Sequence, residues 1–498
     1  MHKIPPTNPP AISPTISPMR PAYAESFRCI GPACEDTCCQ GWSVPIDQAA
    51  YERYQSLPDI PLRALIDASV LVNIQPVNGA QPASFAKIPM NGANQCPLLT
   101  EERLCRIHAE LGEEFLSHTC ATYPRIVNSM GGFEETALAL SCPEAARLVL
   151  LDPDLLKLVL PKTGLLKPEL PATAQLKPDL LKPELPDLDL PASESPAAVD
   201  KQPGCELAET PSAEGIPSLM PWFGPIRQSA LALVVNRAYP LWQRLFLLGV
   251  FCRRLDAISS GELRRGVPAF LTDFEATVAS AALRTAMETL PLDRTAQLDV
   301  VLRLAGLLLH RSSVRPRFVE CVEAFTAGIG NGPGATLESL TARYAEAHDR
   351  YYEPFLRRHP HILENFLSNT IFRCRFPLGR EGAPAGRPHS MAREFALLTA
   401  QFALMKGLLI GVAGFHRDEF SAARVVHTIQ AASKHFEHHP EFLGLAYELL
   451  VESRMDGARG LAILLRNAAP EAAPGAARPA SAEPQAPVLQ TKAQAPVL

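Results

Sequence analysis

Eight of the twelve cysteines in this 498-residue chain are crowded between Cys29 and Cys142: Cys29, Cys34, Cys38, Cys39, Cys96, Cys105, Cys120 and Cys142. So many thiols in so short a stretch leave few outcomes: disulfide staples, a structural metal site, or a redox cluster. The spacing is C-x4-C-x3-C-C, followed by four single cysteines. Gly31, Pro32 and Gly41 mark tight loops around the first group, and thiolates ligate zinc or iron–sulfur clusters best from short, constrained loops. In the second group, CPLLTEERLCRIHAELG, Cys96 and Cys105 flank a turn expected at Glu101–Arg103. The third is CATYPRI at 120–126. In the fourth, SCPEAARLVLL, Cys142 stands where a helix should begin, with Pro143 in its first turn. A thiolate there gains from the helix dipole.

The opening MHKIPPTNPPAISPTISPMRP has no unbroken apolar core and does not read as a secretory signal. Residues 1–22 are expected to be a disordered extension, with Met19 as an alternative start. The expected location is the cytoplasm, where thiols stay reduced, so metal binding is favoured over disulfides. Four thiolates suit either tetrahedral zinc or a [4Fe–4S] cluster, and spacing alone leaves both open. Cys38 and Cys39 point in different directions from an extended backbone, so they need not share a centre. His108 reads as a surface or core histidine rather than a ligand. The radical S-adenosylmethionine motif C-x3-C-x2-C begins with Cys34 and Cys38, but Gly41 occupies its third position, so radical chemistry is not assigned. Cys205, Cys252, Cys321 and Cys374 are scattered singly and read as apolar filler or linker.

The formal net charge is −5 and no basic stripe appears, which argues against a nucleic-acid partner. Residues 151–220 carry an irregular Lys-Pro-acid-Leu repeat (KPELP, KPDL, KPELP), and proline at that density blocks regular elements. They are expected to form a Pro-rich linker. From Pro221 the apolar residues recur at three- and four-residue spacing through residue 466, predicting an α-helical domain of about a dozen helices or fewer. Within it, FALLTAQFALMKGLLIGVAG is interrupted by Gln401 and Lys406, so it reads as a buried helix and not a membrane span. The Ala/Pro-rich stretch 467–498 is expected to be a disordered tail. The expected fold is therefore mainly α: a small Cys-rich metal-binding module at 23–150, the linker, and the helical domain at 221–466.

These residues resemble the flagellin lysine N-methylase family, which shares its cysteine region with a wider set of cysteine-cluster proteins described as zinc- or iron-chelating. The resemblance rests on FRCIGPACEDTCCQGWSVPID at 27–47, CPLLTEERLCRIHAELG at 96–112, CATYPRI and SCPEAARL. PHILENFLSNTIFRCRFP at 360–377 and FALMKGLLIGVAG at 402–414 extend it into the helical part. The linker and the tail are not covered. The resemblance implies an enzyme that transfers a methyl group from S-adenosylmethionine to lysine ε-amines of flagellin. It also implies an iron–sulfur cluster held by the cysteine region.

Lysine attacks a sulfonium methyl only when neutral, and its free pKa is about 10.4, so such an enzyme must desolvate or deprotonate the amine. No catalytic base stands out in the sequence. GIGNGPG at 328–334 imitates a nucleotide-binding loop, but the segment before it reads as a helix, so it is expected to join two helices. A cleft between the cysteine module and the helical domain is the expected S-adenosylmethionine site, with Trp42, Tyr123 and Arg125 as candidate linings. Each also has a plainer reading, the two aromatics as core and Arg125 as the partner of Glu134 or Glu144. Asn365 is either a satisfied buried amide or a pocket residue. The alternative functions are a non-catalytic, zinc-stapled interaction module and a metal carrier. Oligomeric state is not legible.

Overall fold

The computed structural model describes residues 21–72, 85–130, 133–155, 219–258, 261–279, 281–309, 315–379, 390–437, 439 and 441–466. The expected N-terminal extension, nearly all of the Lys-Pro-acid-Leu stretch, Cys205 and the tail lie outside them.

Short elements dominate the N-terminal part. Helices α1 (Ala22–Ser26), α2 (Gln48–Gln55), α3 (Pro61–Ser69), α4 (Arg106–Leu111), α5 (His118–Thr122) and α6 (Pro143–Leu151) alternate with five strands. Strands β1 (Val44–Ile46), β2 (Leu71–Val72) and β3 (Ala86–Ile88) form an antiparallel sheet in the order β1-β3-β2, with Val44 opposite Ile88 and Leu71 opposite Lys87. Strands β4 (Arg125–Met130) and β5 (Phe133–Leu138) form a hairpin in which Arg125 faces Leu138.

The rest is helical, as its periodicity predicts: α7 (Phe223–Val235), α8 (Leu241–Asp256), α9 (Leu263–Val278), α10 (Ala281–Met287), α11 (Arg294–Leu309), α12 (Pro316–Gly328), α13 (Leu337–Ala347), α14 (Glu353–Arg358), α15 (His361–Arg373), α16 (Met391–His416), α17 (Ala422–Phe436), α18 (Phe442–Glu452) and α19 (Ala458–Leu465). A π-helical turn at His348–Tyr352 joins α13 to α14 without a break, so one continuous rod counts as two helices. The GIGNGPG stretch connects α12 to α13, as expected.

Helix α16 is apolar on every side, and such a helix belongs in the middle of a core. Nearly all of it is buried, from Met391 to Ala413. Its N-terminus is fixed by Ser390, whose hydroxyl accepts from the Arg393 amide, and by the Asp256 carboxylate, which accepts from the amides of Met391 and Ala392 at 2.9 and 2.8 Å. Helix α12 crosses α16 at glycines: a Cβ on Gly328 would stand 1.8 Å from the Gly411 carbonyl oxygen. Cys252 and Cys321 are buried on α8 and α12, consistent with filler, and Cys374 is half-buried at the end of α15.

Two apolar clusters organise the described residues. The smaller one holds Val44, Ile46, Tyr54, Leu62, Ile66, Ile88, Cys96 and Leu98. The larger one holds the helices α7–α19 together with Tyr23, Phe27, the end of β5 and α6. Helix α15 joins these parts. The Asn369 side chain donates to the Leu138 carbonyl at 2.8 Å, accepts from the Leu138 amide at 3.3 Å, and accepts from the Tyr23 hydroxyl at 2.9 Å. The amide of Asn365 donates to the Asp152 carbonyl at 2.7 Å, which makes it a satisfied buried amide.

Candidate metal centre

The cysteine segments sit between these two clusters. Cys96 belongs to the smaller cluster, with Cys39, Cys105 and Cys120 packed against it, whereas Cys142 belongs to the larger. Backbone pairing sets their places. The Cys96 amide donates to the Cys39 carbonyl at 2.9 Å, and the Gly41 amide donates to the Asn94 carbonyl at 3.0 Å. Leu99 and Cys105 form a bridge around a turn at Glu101–Arg103, where sequence placed it. Arg103 adopts a left-handed φ of 64° there. Cys105 caps α4 and Cys142 caps α6, the latter with Pro143 in the first turn.

Neither cysteine side chain takes a capping hydrogen bond, but backbone amides lie near the sulfurs. The Cys105 sulfur faces the N–H groups of His108 and Ile107, the Cys142 sulfur those of Ala145 and Glu144, and the Cys96 sulfur that of Leu98. An N–H pointed at sulfur favours the thiolate, the form that ligates metal. Burial opposes it and wins. It pushes Cys96 up to about 11 and Cys120 and Cys142 up to about 12, and it raises Cys34 and Cys105.

Cys38 is the exception and the electrostatic hub. A hydrogen bond from the Cys39 thiol, helped by the Lys434 ammonium, lowers Cys38 to about 7, and the same bond raises Cys39. Charge on Cys38 disfavours ionisation of Cys34, Cys39, Cys96, Cys105, Cys120 and Cys142, so all six lie within its electrostatic reach. Cys29 is exposed, and its sulfur accepts from the Gly31 amide at 3.4 Å. His108 is exposed. Among the described residues, no three His, Cys, Asp or Glu side chains converge closely enough to hold a single ion. The chemistry of the donor set still fits a thiolate-bound centre. Soft sulfur donors come from several segments, amides lie near three of them, and a bound cation would offset the burial that holds these thiols protonated.

The three candidate linings lie close by. The Trp42 indole donates to the Cys38 carbonyl at 2.8 Å. The Tyr123 hydroxyl pairs with the Ser141 hydroxyl at 3.2 Å, and burial raises its pKa, with smaller contributions from Cys142 and Cys38. Arg125 donates to the Phe27 carbonyl at 2.9 Å and lies over the Phe27 ring, while Glu144 pairs with Arg147. A shallow hollow lies elsewhere, lined by Leu233, Asn236, Phe274 and Glu275, and none of the three candidates lines it.

Sequence reasoning missed the partners of the first cysteine loop. Lys434 on α17 lies 2.6 Å from Asp36 Oδ1 and donates to the Thr37 carbonyl at 2.8 Å. Gln430 donates to Asp36 Oδ2 at 2.7 Å, and Arg317 stands 3.9 Å from the same oxygen. Burial alone would raise Asp36, but the Lys434 charge and these hydrogen bonds hold its carboxyl below the usual range. Arg315 donates to the Gly41 carbonyl at 3.2 Å, and its guanidinium fills the space a Cβ on Gly41 would need. The trace in the sequence is the four- and three-residue spacing of the polar residues at 430, 434 and 437.

The fold and site define a mainly helical protein with a thiol-rich centre on its N-terminal segments. Residues 227–464 match the family described as FliB lysine N-methylase C-terminal domain. Over 137 residues, 28% of this chain, the sequence is 33% identical to flagellar biosynthetic protein FliU of Salmonella muenchen, spanning 79% of that protein. It is 32% identical, also over 137 residues, to proteins named lysine-N-methylase from Salmonella typhimurium and Salmonella choleraesuis, and that match spans only 33% of their length. No solved structure matches. The chain belongs to the flagellin lysine N-methylase family.

Proposed function

We propose that this protein transfers methyl groups from S-adenosylmethionine to lysine ε-amines of flagellin in the cytoplasm, and that its cysteine region holds a [4Fe–4S] cluster. The observation that carries the reading is that six thiols from separate segments lie within electrostatic reach of Cys38, in a chain of this family. Cys34, Cys38, Cys39, Cys96, Cys105, Cys120 and Cys142 are the candidate ligands, and Cys29 stands at the exposed edge of the same loop.

When bound, the cluster supplies the positive charge that keeps these thiols ionised, and it ties their segments together. The rest of the task is positional. The chain must hold the substrate amine neutral and in line with the sulfonium methyl, so that nitrogen takes the methyl as the carbon–sulfur bond breaks. Trp42 and Tyr123, beside Cys38 and Ser141, offer aromatic surface for the methyl donor. Arg125, whose guanidinium is held by the Phe27 carbonyl and ring, is the third candidate contact for the donor.

The test uses the full chain, purified without air and incubated with flagellin and S-adenosylmethionine. Mass gains of whole methyl increments on flagellin lysines are expected. Flagellin that stays unmodified in the presence of metal-loaded protein overturns the reading.

A further inference from the structure

Two of the cysteine-bearing loops are held by a single face of one helix. Gln430, Lys434 and Glu437 follow one another on α17 and its cap at four- and three-residue spacing, the spacing of one helical face. Lys434 holds Asp36 Oδ1 and the Thr37 carbonyl, at 2.6 and 2.8 Å. Gln430 donates to both Asp36 Oδ2, at 2.7 Å, and the Ser141 carbonyl, at 2.8 Å. Glu437 accepts from the Ser141 amide at 3.2 Å. The helix therefore takes both backbone polar groups of Ser141 and the carbonyl of Thr37, and these residues immediately precede Cys142 and Cys38. Arg317 donates to Gln430 Oε1 at 3.2 Å, which fixes which way that amide points.

We propose that this face of α17 is a template that holds the backbones of the Cys38 and Cys142 loops at a fixed spacing, the frame on which their sulfurs close when metal binds. The inference rests on the reading of these cysteines as ligands of one centre. A helix rises about 1.5 Å per residue, so its side chains hold two loops at a separation that neither loop could fix alone. Thr37 and Ser141 are far apart in sequence, and without a template the ordering of both loops would count against metal binding. Lys434 has a second effect: with Arg315 and Arg317 it places positive charge beside a thiolate set whose net charge is negative. Gln430, Lys434 and Glu437 are thus positioning residues that act through the backbone of the loops.

The test compares anaerobically purified full-length wild type with Lys434→Met, Lys434→Arg and Asp36→Asn. The measurements are the rate at which a chelator removes the bound metal and the reduction potential of any iron–sulfur centre. Lys434→Met is expected to speed metal loss about tenfold or more, as outer partners of metal ligands do. It should also move the potential negative, since a nearby positive charge is gone. Lys434→Arg restores the charge and should return both toward wild type. Asp36→Asn keeps the shape and should speed loss in the same direction, which covers the case in which Lys434→Met does not fold. If wild type carries zinc, the same release rates test the template. Wild-type rates and potential in Lys434→Met and Asp36→Asn overturn the template while leaving the metal reading intact. A wild type that binds no metal overturns both.

Discussion

Arg227 Nη1 lies 2.9 Å from Glu135 Oε2, and both side chains are shut off from solvent, at 0% and 1% exposure. The pair ties the β4–β5 hairpin to α7, and the guanidinium also donates to the Phe376 carbonyl at 2.7 Å and lies over the Phe223 ring. Burial works against both charges, raising Glu135 and lowering Arg227. Removing one partner leaves the other charged and buried, so Arg227→Ala or Glu135→Ala should cost about 3–5 kcal/mol, read by urea unfolding. Replacing both with apolar residues of similar size should cost much less than the sum of the single changes.

Lys406 sits in the middle of α16, 3% exposed, and donates to the carbonyls of Leu464 and Leu465. Burial lowers its pKa to about 7 from an ordinary 10.5. Between these values the unfolded chain holds the proton more tightly than the folded one, so unfolding free energy should rise as pH increases from about 7 to about 10. Below that window both states are charged and the contribution is flat. The difference between wild type and Lys406→Met isolates it from other titrating groups. Wild type should gain stability relative to the variant across the window, by up to a few kcal/mol.

The α12–α16 crossing leaves no room for a methyl group. A Cβ on Gly328 meets the Gly411 carbonyl, and one on Gly411 meets the Phe325 ring at 2.3 Å. Gly328→Ala and Gly411→Ala should each destabilise by about 1–3 kcal/mol or more, measured as a drop in thermal midpoint. Ala at Gly306, which has open space around it, serves as the control.

Much of this was legible in the sequence because it is local. Pro143 after Cys142 announced the start of α6, the turn between Cys96 and Cys105 fell at Glu101–Arg103, and GIGNGPG joins two helices. The apolar stretch around Lys406 was readable as a buried helix because its polar breaks rule against lipid. What escaped is long-range. Asp36 and Lys434 are 398 positions apart, and neither residue is unusual where it stands. The packing of Tyr23, Phe27 and α6 against the helical body was equally hidden, since an apolar residue shows that it is buried but not what covers it. The π turn at His348–Tyr352 had no sequence signal, and it splits one rod into two helices.

The cysteines divide into two groups with different expected effects. Serine at Cys38, Cys96, Cys105, Cys120 or Cys142 should lower metal content per chain sharply, because each sulfur belongs to the set around Cys38. Serine at Cys252 or Cys321, buried on α8 and α12, should leave metal content unchanged and cost only folding stability. Metal analysis of each purified variant, alongside its thermal midpoint, separates the two.

The proposed iron–sulfur centre would draw the cysteine segments around one cluster. The most direct measurement is iron, sulfide and zinc content together with the ultraviolet–visible spectrum of protein purified without air. A brown protein is expected, with iron and sulfide in equal amounts, about four of each per chain, and a broad visible absorbance that bleaches on reduction. A colourless protein with stoichiometric zinc, or one with no metal at all, would contradict it.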